Sequence, residues 1–211
     1  MKYWIFDLDK TIYPKESGLF KAVDEKINEY LITYLNFNPN EVNLIRKKYW
    51  LKYGTTLNGL IKFHNVNPIH YLEFVHDVNI TQFLDKDEEL IEIFKSISGK
   101  KIIFTNGYKP FAQKVLNILG IKNFFDEIID ITFIDFIPKP YVYGYKKLIN
   151  NFEISPEKAI FFDDFYLNLI PAKSLGMTTV LVNNNSKNHE YIDYKIPDIK
   201  KLKNFKFCID I

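Results

Sequence analysis

The chain has 211 residues, 47% of them hydrophobic and 26% charged, with a formal net charge of +2. That length suits one α/β domain with a modest insertion and leaves no room for two full-sized domains, while the balance excludes a disordered or fibrous chain. The single cysteine, Cys208, excludes an internal disulfide and a Cys-built zinc cluster, and favours a reducing compartment.

Lys2–Leu8 is apolar and β-rich, the pattern of a strand buried on both faces in a parallel sheet. It runs into "DLDKT", where Asp7 and Asp9 sit two residues apart at a place that would normally punish buried charge. Residues 15–82 then break the pattern. They hold helical periodicities over Leu19–Leu35 and Asn40–Lys52, shorter ones at Leu57–His64 and Pro68–Val75, and no strand. Alternation resumes afterwards: a helix over Asp87–Ile97, a strand at Lys101–Thr105, a helix over Phe111–Leu119, a helix over Tyr141–Phe152, a strand at Ala159–Phe162, a helix over Leu167–Leu175 and a strand at Thr178–Val182. Gly120 and Gly176 stand where helix C-caps belong. The expectation is a doubly wound, Rossmann-like parallel α/β sheet carrying an inserted helical cap, with core residues 1–14 and 83–211 and cap residues 15–82. Such sheets bind ligands beyond the carboxyl ends of their strands. The polar stretch Asn183–Asn188 is given no function.

Four strand ends or turns carry chemistry. Asp7 and Asp9 follow the first strand. Thr105, Asn106 and Gly107 form a strand-to-helix turn whose hydroxyl, amide and backbone N–H groups suit phosphate oxygens. Lys139 lies between two prolines that restrict its backbone. Asp163 and Asp164 end another apolar strand, and adjacent like charges there are best explained by a cation.

Taken in order, these four motifs resemble those of the haloacid dehalogenase superfamily of phosphatases, over residues 1–14 and about 83–182. Many members of that superfamily insert a helical cap after the first motif. Within the cap, "YGTTLNGLIKFHNV" (Tyr53–Val66) is similar to a pattern of the pyrimidine 5'-nucleotidase subfamily, as are "DLDKTIYP" and "FFDD" followed by "NL".

The resemblance implies Asp7 as nucleophile and Asp9 as general acid and base. It also implies Mg2+ held by the Asp7 and Asp163 side chains and the Asp9 backbone carbonyl, and hard oxygen donors suit that ion. Lys139, Thr105, Asn106 and Gly107 are expected to bind the phosphoryl group. Thr11, Asp164 and Asn168 are expected to brace the turn and orient the metal ligands and Lys139. Tyr53 and His64 are the cap residues expected to meet the leaving group. Asp9 favours phosphoryl transfer over dehalogenation, because halide departs without a proton.

The activity this predicts is Mg-dependent hydrolysis of a small soluble phosphate, a pyrimidine nucleoside 5'-monophosphate first. A sugar-phosphate or other metabolite phosphatase, a phosphomutase, and a non-catalytic regulatory module stand as alternatives. A dinucleotide-binding reading lacks its GxG spacing. Scattered lysines give no nucleic-acid footprint, no apolar run approaches the ~20 residues of a membrane span, and no leader pattern precedes Lys2. A cytoplasmic protein with a small-molecule partner is therefore expected.

Overall fold

The computed structural model of the chain describes residues 2–183 and 189–204. Of the Asn183–Asn188 stretch only Asn183 falls among them, and Cys208 lies outside the described residues.

In chain order the elements are β1 (Tyr3–Phe6), α1 (Leu19–Leu35), α2 (Val42–Tyr53), α3 (Thr56–His64), α4 (Pro68–Val75), α5 (Glu88–Ser96) and β2 (Lys100–Phe104). They continue with α6 (Lys109–Ile118), β3 (Glu127–Ile129), α7 (Val142–Phe152), β4 (Ala159–Asp163), α8 (Tyr166–Ser174), β5 (Thr178–Val182) and β6 (Tyr194–Ile196). The six strands form one sheet in the order β3-β2-β1-β4-β5-β6, parallel throughout. The α/β doubly wound expectation therefore holds. Two short strands, β3 and β6, were not legible in the sequence, because three residues are too few to show a period.

Alternation of side chains across the pleat divides the core in two. Trp4, Phe6, Ile103, Ile160, Phe162 and Val180 face one layer, with α5 and α6 packed on them. Tyr3, Ile5, Ile102, Phe104, Phe161 and Leu181 face the other, under α7 and α8. Phe6 and Phe162 stack at 4.6 Å across the β1–β4 pair.

The helical segment between β1 and α5 is continuous with both layers. Leu19 and Val23 of α1 join the first, whereas Leu31 of α1, Leu57 and Leu60 of α3 and Leu72 of α4 join the second. Within it α2 packs on α3 and α1 on α4. Gly59 makes the first of these approaches possible, since a Cβ there would lie 2.2 Å from the Tyr49 ring.

β1 sits between β2 and β4, so its carboxyl end opens at the point where the strand order turns in both directions. Crevices form there in such sheets. No helix among the described residues is long and apolar enough to cross a membrane.

Candidate active site

Asp7 is the first residue beyond β1, and its N–H still pairs with the Phe162 carbonyl at 2.8 Å, so the nucleophile candidate is fixed by the sheet itself. Asp163 closes β4 and is completely buried. Between them stands Lys139, whose Nζ donates to Asp7 Oδ1, Asp163 Oδ2 and the Phe104 carbonyl, each at 2.8 Å. Three donors with three acceptors use up the ammonium group. Burial pulls the Lys139 pKa down, but Asp163 and Asp7 outweigh it and hold the group above the ordinary lysine value.

Both oxygens of Asp163 accept further hydrogen bonds. Phe165 N–H donates to Oδ1 at 2.9 Å, and Asn168 Nδ2 reaches both oxygens at 3.0 Å. Asp164 faces the same space and pairs with Lys10 at 3.3 Å. Its backbone N–H donates to Thr11 Oγ1 at 3.0 Å, which ties the end of β4 to the turn after β1. One carboxylate oxygen from each of Asp7, Asp163 and Asp164 lies within 4.8 Å of the others. Burial, and then Asp7 and Asp164, push the Asp163 carboxyl upward against the pull of Lys139. Negative charge thus exceeds what the lysines neutralise, and the donors are all hard oxygens. That combination fits a small divalent cation of the magnesium type.

Asp9 is half-buried, and its carboxylate accepts a hydrogen bond from the Tyr13 hydroxyl. Burial and the neighbouring Asp7 charge raise its pKa to about 7, against the lowering effect of Tyr13. A carboxyl group so placed can hold a proton at neutral pH and can also release it.

The Thr105–Asn106–Gly107 turn does something other than expected. Asn106 Oδ1 accepts from the Lys139 N–H at 2.8 Å, and its Nδ2 donates to the Lys139 carbonyl at 3.1 Å. Asn106 therefore clamps the Lys139 backbone, where a phosphate contact was expected. The Gly107 N–H is likewise occupied, donating to Thr105 Oγ1 at 2.9 Å. The Thr105 hydroxyl proton and the second hydrogen of the Asn106 amide are not used in these bonds. Gly107 matters through its missing side chain, since a Cβ there would sit 3.5 Å from Asp9 Oδ2 and 3.2 Å from Thr105 Oγ1.

The two cap candidates make contacts inside the helical segment. His64 Nε2 is hydrogen-bonded to the Tyr49 hydroxyl at 2.7 Å, and its ring packs edge-on against Phe37 at 4.9 Å. Tyr53 lies against Phe63 at 5.4 Å, with Lys62 over its ring. Gly54, next to Tyr53, lies against the Pro138 ring beside Lys139.

Three residues absent from the sequence-based set belong to the site's surroundings. Tyr13 holds Asp9. Asp130, buried after β3, accepts from Lys109 N–H at 2.8 Å, Thr132 N–H at 3.2 Å, Thr132 Oγ1 at 2.7 Å and Phe133 N–H at 3.1 Å, securing the first turn of α6. His76, just past α4, places Nε2 3.7 Å from the same point above Gly107 that Asp9 borders. Tyr13 sat in view within "TIYP"; nothing in the local pattern singled out the other two.

The sequence pattern of haloacid dehalogenase-like hydrolases matches residues 1–176. The Saccharomyces cerevisiae protein "Phosphate metabolism protein 8" is 27% identical over all of this chain and 70% of its own length. A HAD phosphatase structure from Thermococcus onnurineus superposes with a TM-score of 0.66 at 22% identity, covering 97% of both chains. An L-2-haloacid dehalogenase from Xanthobacter autotrophicus does so at 0.62 and 14% identity, again covering 97% of both. The fold is therefore common to phosphatases and dehalogenases, and the choice between them falls to individual residues.

Proposed function

We propose that this chain, which belongs to the haloacid dehalogenase-like hydrolase family, is a magnesium-dependent phosphomonoesterase that acts through an aspartyl-phosphate on Asp7. Its substrate in this reading is a small soluble phosphate ester, a pyrimidine nucleoside 5'-monophosphate first. The observation that carries the phosphatase reading is Asp9, a carboxyl group held by the Tyr13 hydroxyl two residues after Asp7 and pushed upward by burial. An alkoxide leaving group needs a proton at neutral pH and a halide does not.

Asp7 attacks phosphorus, the P–O bond to the alcohol breaks, and Asp9 delivers its proton to the departing oxygen. Asp9, now ionised, takes a proton from water as that water attacks the phosphoryl group, releasing inorganic phosphate and restoring Asp7. Lys139 fixes Asp7 through Oδ1 and offsets its charge, with Asn106 holding the lysine's backbone in place. Asp7, Asp163 and Asp164 would hold the cation, with the Asp9 carbonyl as the further ligand expected from sequence, and the bound ion would neutralise phosphoryl charge during transfer. Residues 15–82 act as a cap over the core. Three approaches support this: Trp50 meets Phe165 at 5.4 Å, Gly54 abuts the Pro138 ring, and His76 lies near Gly107.

The test compares Asp9→Asn with the parent protein on an alkyl phosphate and on p-nitrophenyl phosphate, together with UMP, CMP, AMP and GMP. Loss of general acid catalysis costs roughly a hundred- to ten-thousand-fold, and it should fall harder on the alkyl ester. Equal losses on both esters refute the acid assignment. A UMP and CMP preference over the purine nucleotides below ~10-fold, or a preference for a sugar phosphate, refutes the nucleotide assignment alone.

A further inference from the structure

A cleft of about 480 Å3 runs between α4 and α6, walled by His70, Phe74 and His76 on one side and Tyr108, Phe111 and Lys114 on the other. Its volume is of the order that drug-sized and nucleoside-sized ligands occupy, roughly 300–1,000 Å3. Tyr108 in this lining directly follows Gly107 in the chain, and His76 Nε2 lies near Gly107. A Cβ at Gly107 would lie 3.5 Å from Asp9 Oδ2 and 3.7 Å from His76 Nε2, so both atoms border one point beside Gly107.

The protonation of His76 follows from its partner. Its Nδ1 lies 2.8 Å from the Leu72 carbonyl oxygen, which can only accept, so Nδ1 carries the hydrogen. Burial lowers the imidazole pKa to about 4, so the ring is neutral at physiological pH and Nε2 is a bare acceptor. The ring is locked in place by Phe111 at 4.7 Å and by Tyr108 at 6.3 Å. A fixed, neutral, half-buried acceptor is thus aimed at the space next to the group that protonates the departing oxygen.

We propose that His76 determines leaving-group specificity: its Nε2 accepts a hydrogen bond from a hydroxyl of the phosphate ester's alcohol portion, whose remainder lies in the cleft between α4 and α6. The inference rests on the phosphatase reading and deepens it. With the ester oxygen within reach of Asp9 Oδ2, the hydroxyl that meets Nε2 belongs to a nearby carbon of the same molecule, since both atoms border one point beside Gly107. A pentose 5-phosphate places a hydroxyl at that reach. The ring it carries would continue between Phe74 and Tyr108, aromatic walls suited to a flat base. A halide or an unsubstituted alkyl ester would leave Nε2 unpaired. Sites built to bond a hydroxyl discriminate most strongly against analogues lacking it.

His76→Phe removes the acceptor and keeps a ring, while His76→Gln returns an acceptor close to the Nε2 position. The three proteins are compared on UMP, 3'-deoxy-UMP and p-nitrophenyl phosphate, and UMP binding to the same variants in an Asp7→Asn background is measured by calorimetry. His76→Phe should lower kcat/KM for UMP at least ~10-fold more than for p-nitrophenyl phosphate. It should shrink the preference for UMP over 3'-deoxy-UMP and weaken UMP binding by a similar factor, with His76→Gln recovering a substantial part of each. Equal losses on all three esters, undiminished UMP binding, or a Gln variant no better than Phe overturns the assignment of His76. If the parent protein hydrolyses none of the three esters in the presence of Mg2+, the phosphatase reading itself fails, and the inference falls with it.

Discussion

Lys139→Met is the most revealing perturbation of the site, because one buried ammonium serves three acceptors at once. Methionine keeps the length and apolar stem but leaves Asp7, Asp163 and the Phe104 carbonyl without their shared donor. Removing one partner of a buried pair costs about 3–5 kcal/mol, since the other charge stays buried and uncompensated. Two carboxylates losing one cation argues for the upper end of that range. Protonation of Asp163, whose pKa is already displaced upward, offers relief and argues for the lower end. Urea unfolding in EDTA at pH 7.5, followed by tryptophan fluorescence, should therefore show the variant about 3–5 kcal/mol less stable, with Tm lower by roughly 6–20 °C. Millimolar Mg2+ should recover part of the loss, because a cation bound only by the native state stabilises it by mass action. A loss under ~1 kcal/mol would show that the carboxylates do not depend on Lys139. Identical unfolding with and without Mg2+ would remove the cation from this account.

Gly59→Ala should destabilise the cap. The new Cβ would lie 2.2 Å from the Tyr49 ring, pushing α2 from α3 and disturbing the Tyr49–His64 hydrogen bond. Overpacking of about 1–3 kcal/mol exceeds the ~1 kcal/mol that alanine gains in helix propensity, so the expected result is a lower Tm, and an equal or higher one refutes the packing argument. Acid should also weaken the fold through His76. Its folded pKa of about 4 lies below the unfolded value of about 6.5, so the unfolded chain binds the extra proton. That stability is complete above about pH 6.5 and is lost as pH falls toward 4, amounting to about 2 kcal/mol between pH 7 and pH 5. Comparing the parent protein with His76→Phe at those two pH values should show this difference, and parallel pH dependence in both would refute it.

The parallel sheet was legible because its central strands announce themselves. Tyr3–Phe6, Ile102–Phe104 and Ala159–Phe162 are runs buried on both faces, and a run without alternation between polar ends has few other uses. The edge strands β3 and β6 carry no such signature, since each is three residues long and owes its extended form to the neighbour it pairs with. Chain order also made the site's charged centre readable. Asp7 and Asp163 follow adjacent strands, so their meeting is fixed by topology once the strands are recognised.

What stayed hidden was the difference between a residue that faces the ligand and one that holds another residue still. Asn106 and Gly107 carry donors suited to phosphate, yet one Asn106 amide hydrogen is used on Lys139 and the Gly107 N–H on Thr105. The same holds for "YGTTLNGLIKFH". Its Gly59 admits the Tyr49 ring and its His64 bonds the Tyr49 hydroxyl, so one pairing of α2 with α3 accounts for both residues without any substrate. His76 shows the converse. A lone histidine after a helix carries no pattern, and its proposed role emerges only when Leu72 fixes which nitrogen bears the proton and the other is found near Gly107 and Asp9. In the proposed reading, specificity is set where α4 ends beside Gly107 and Asp9. Packing of α2 on α3 explains Gly59 and His64, while Gly54 of the same motif lies against the Pro138 ring beside Lys139.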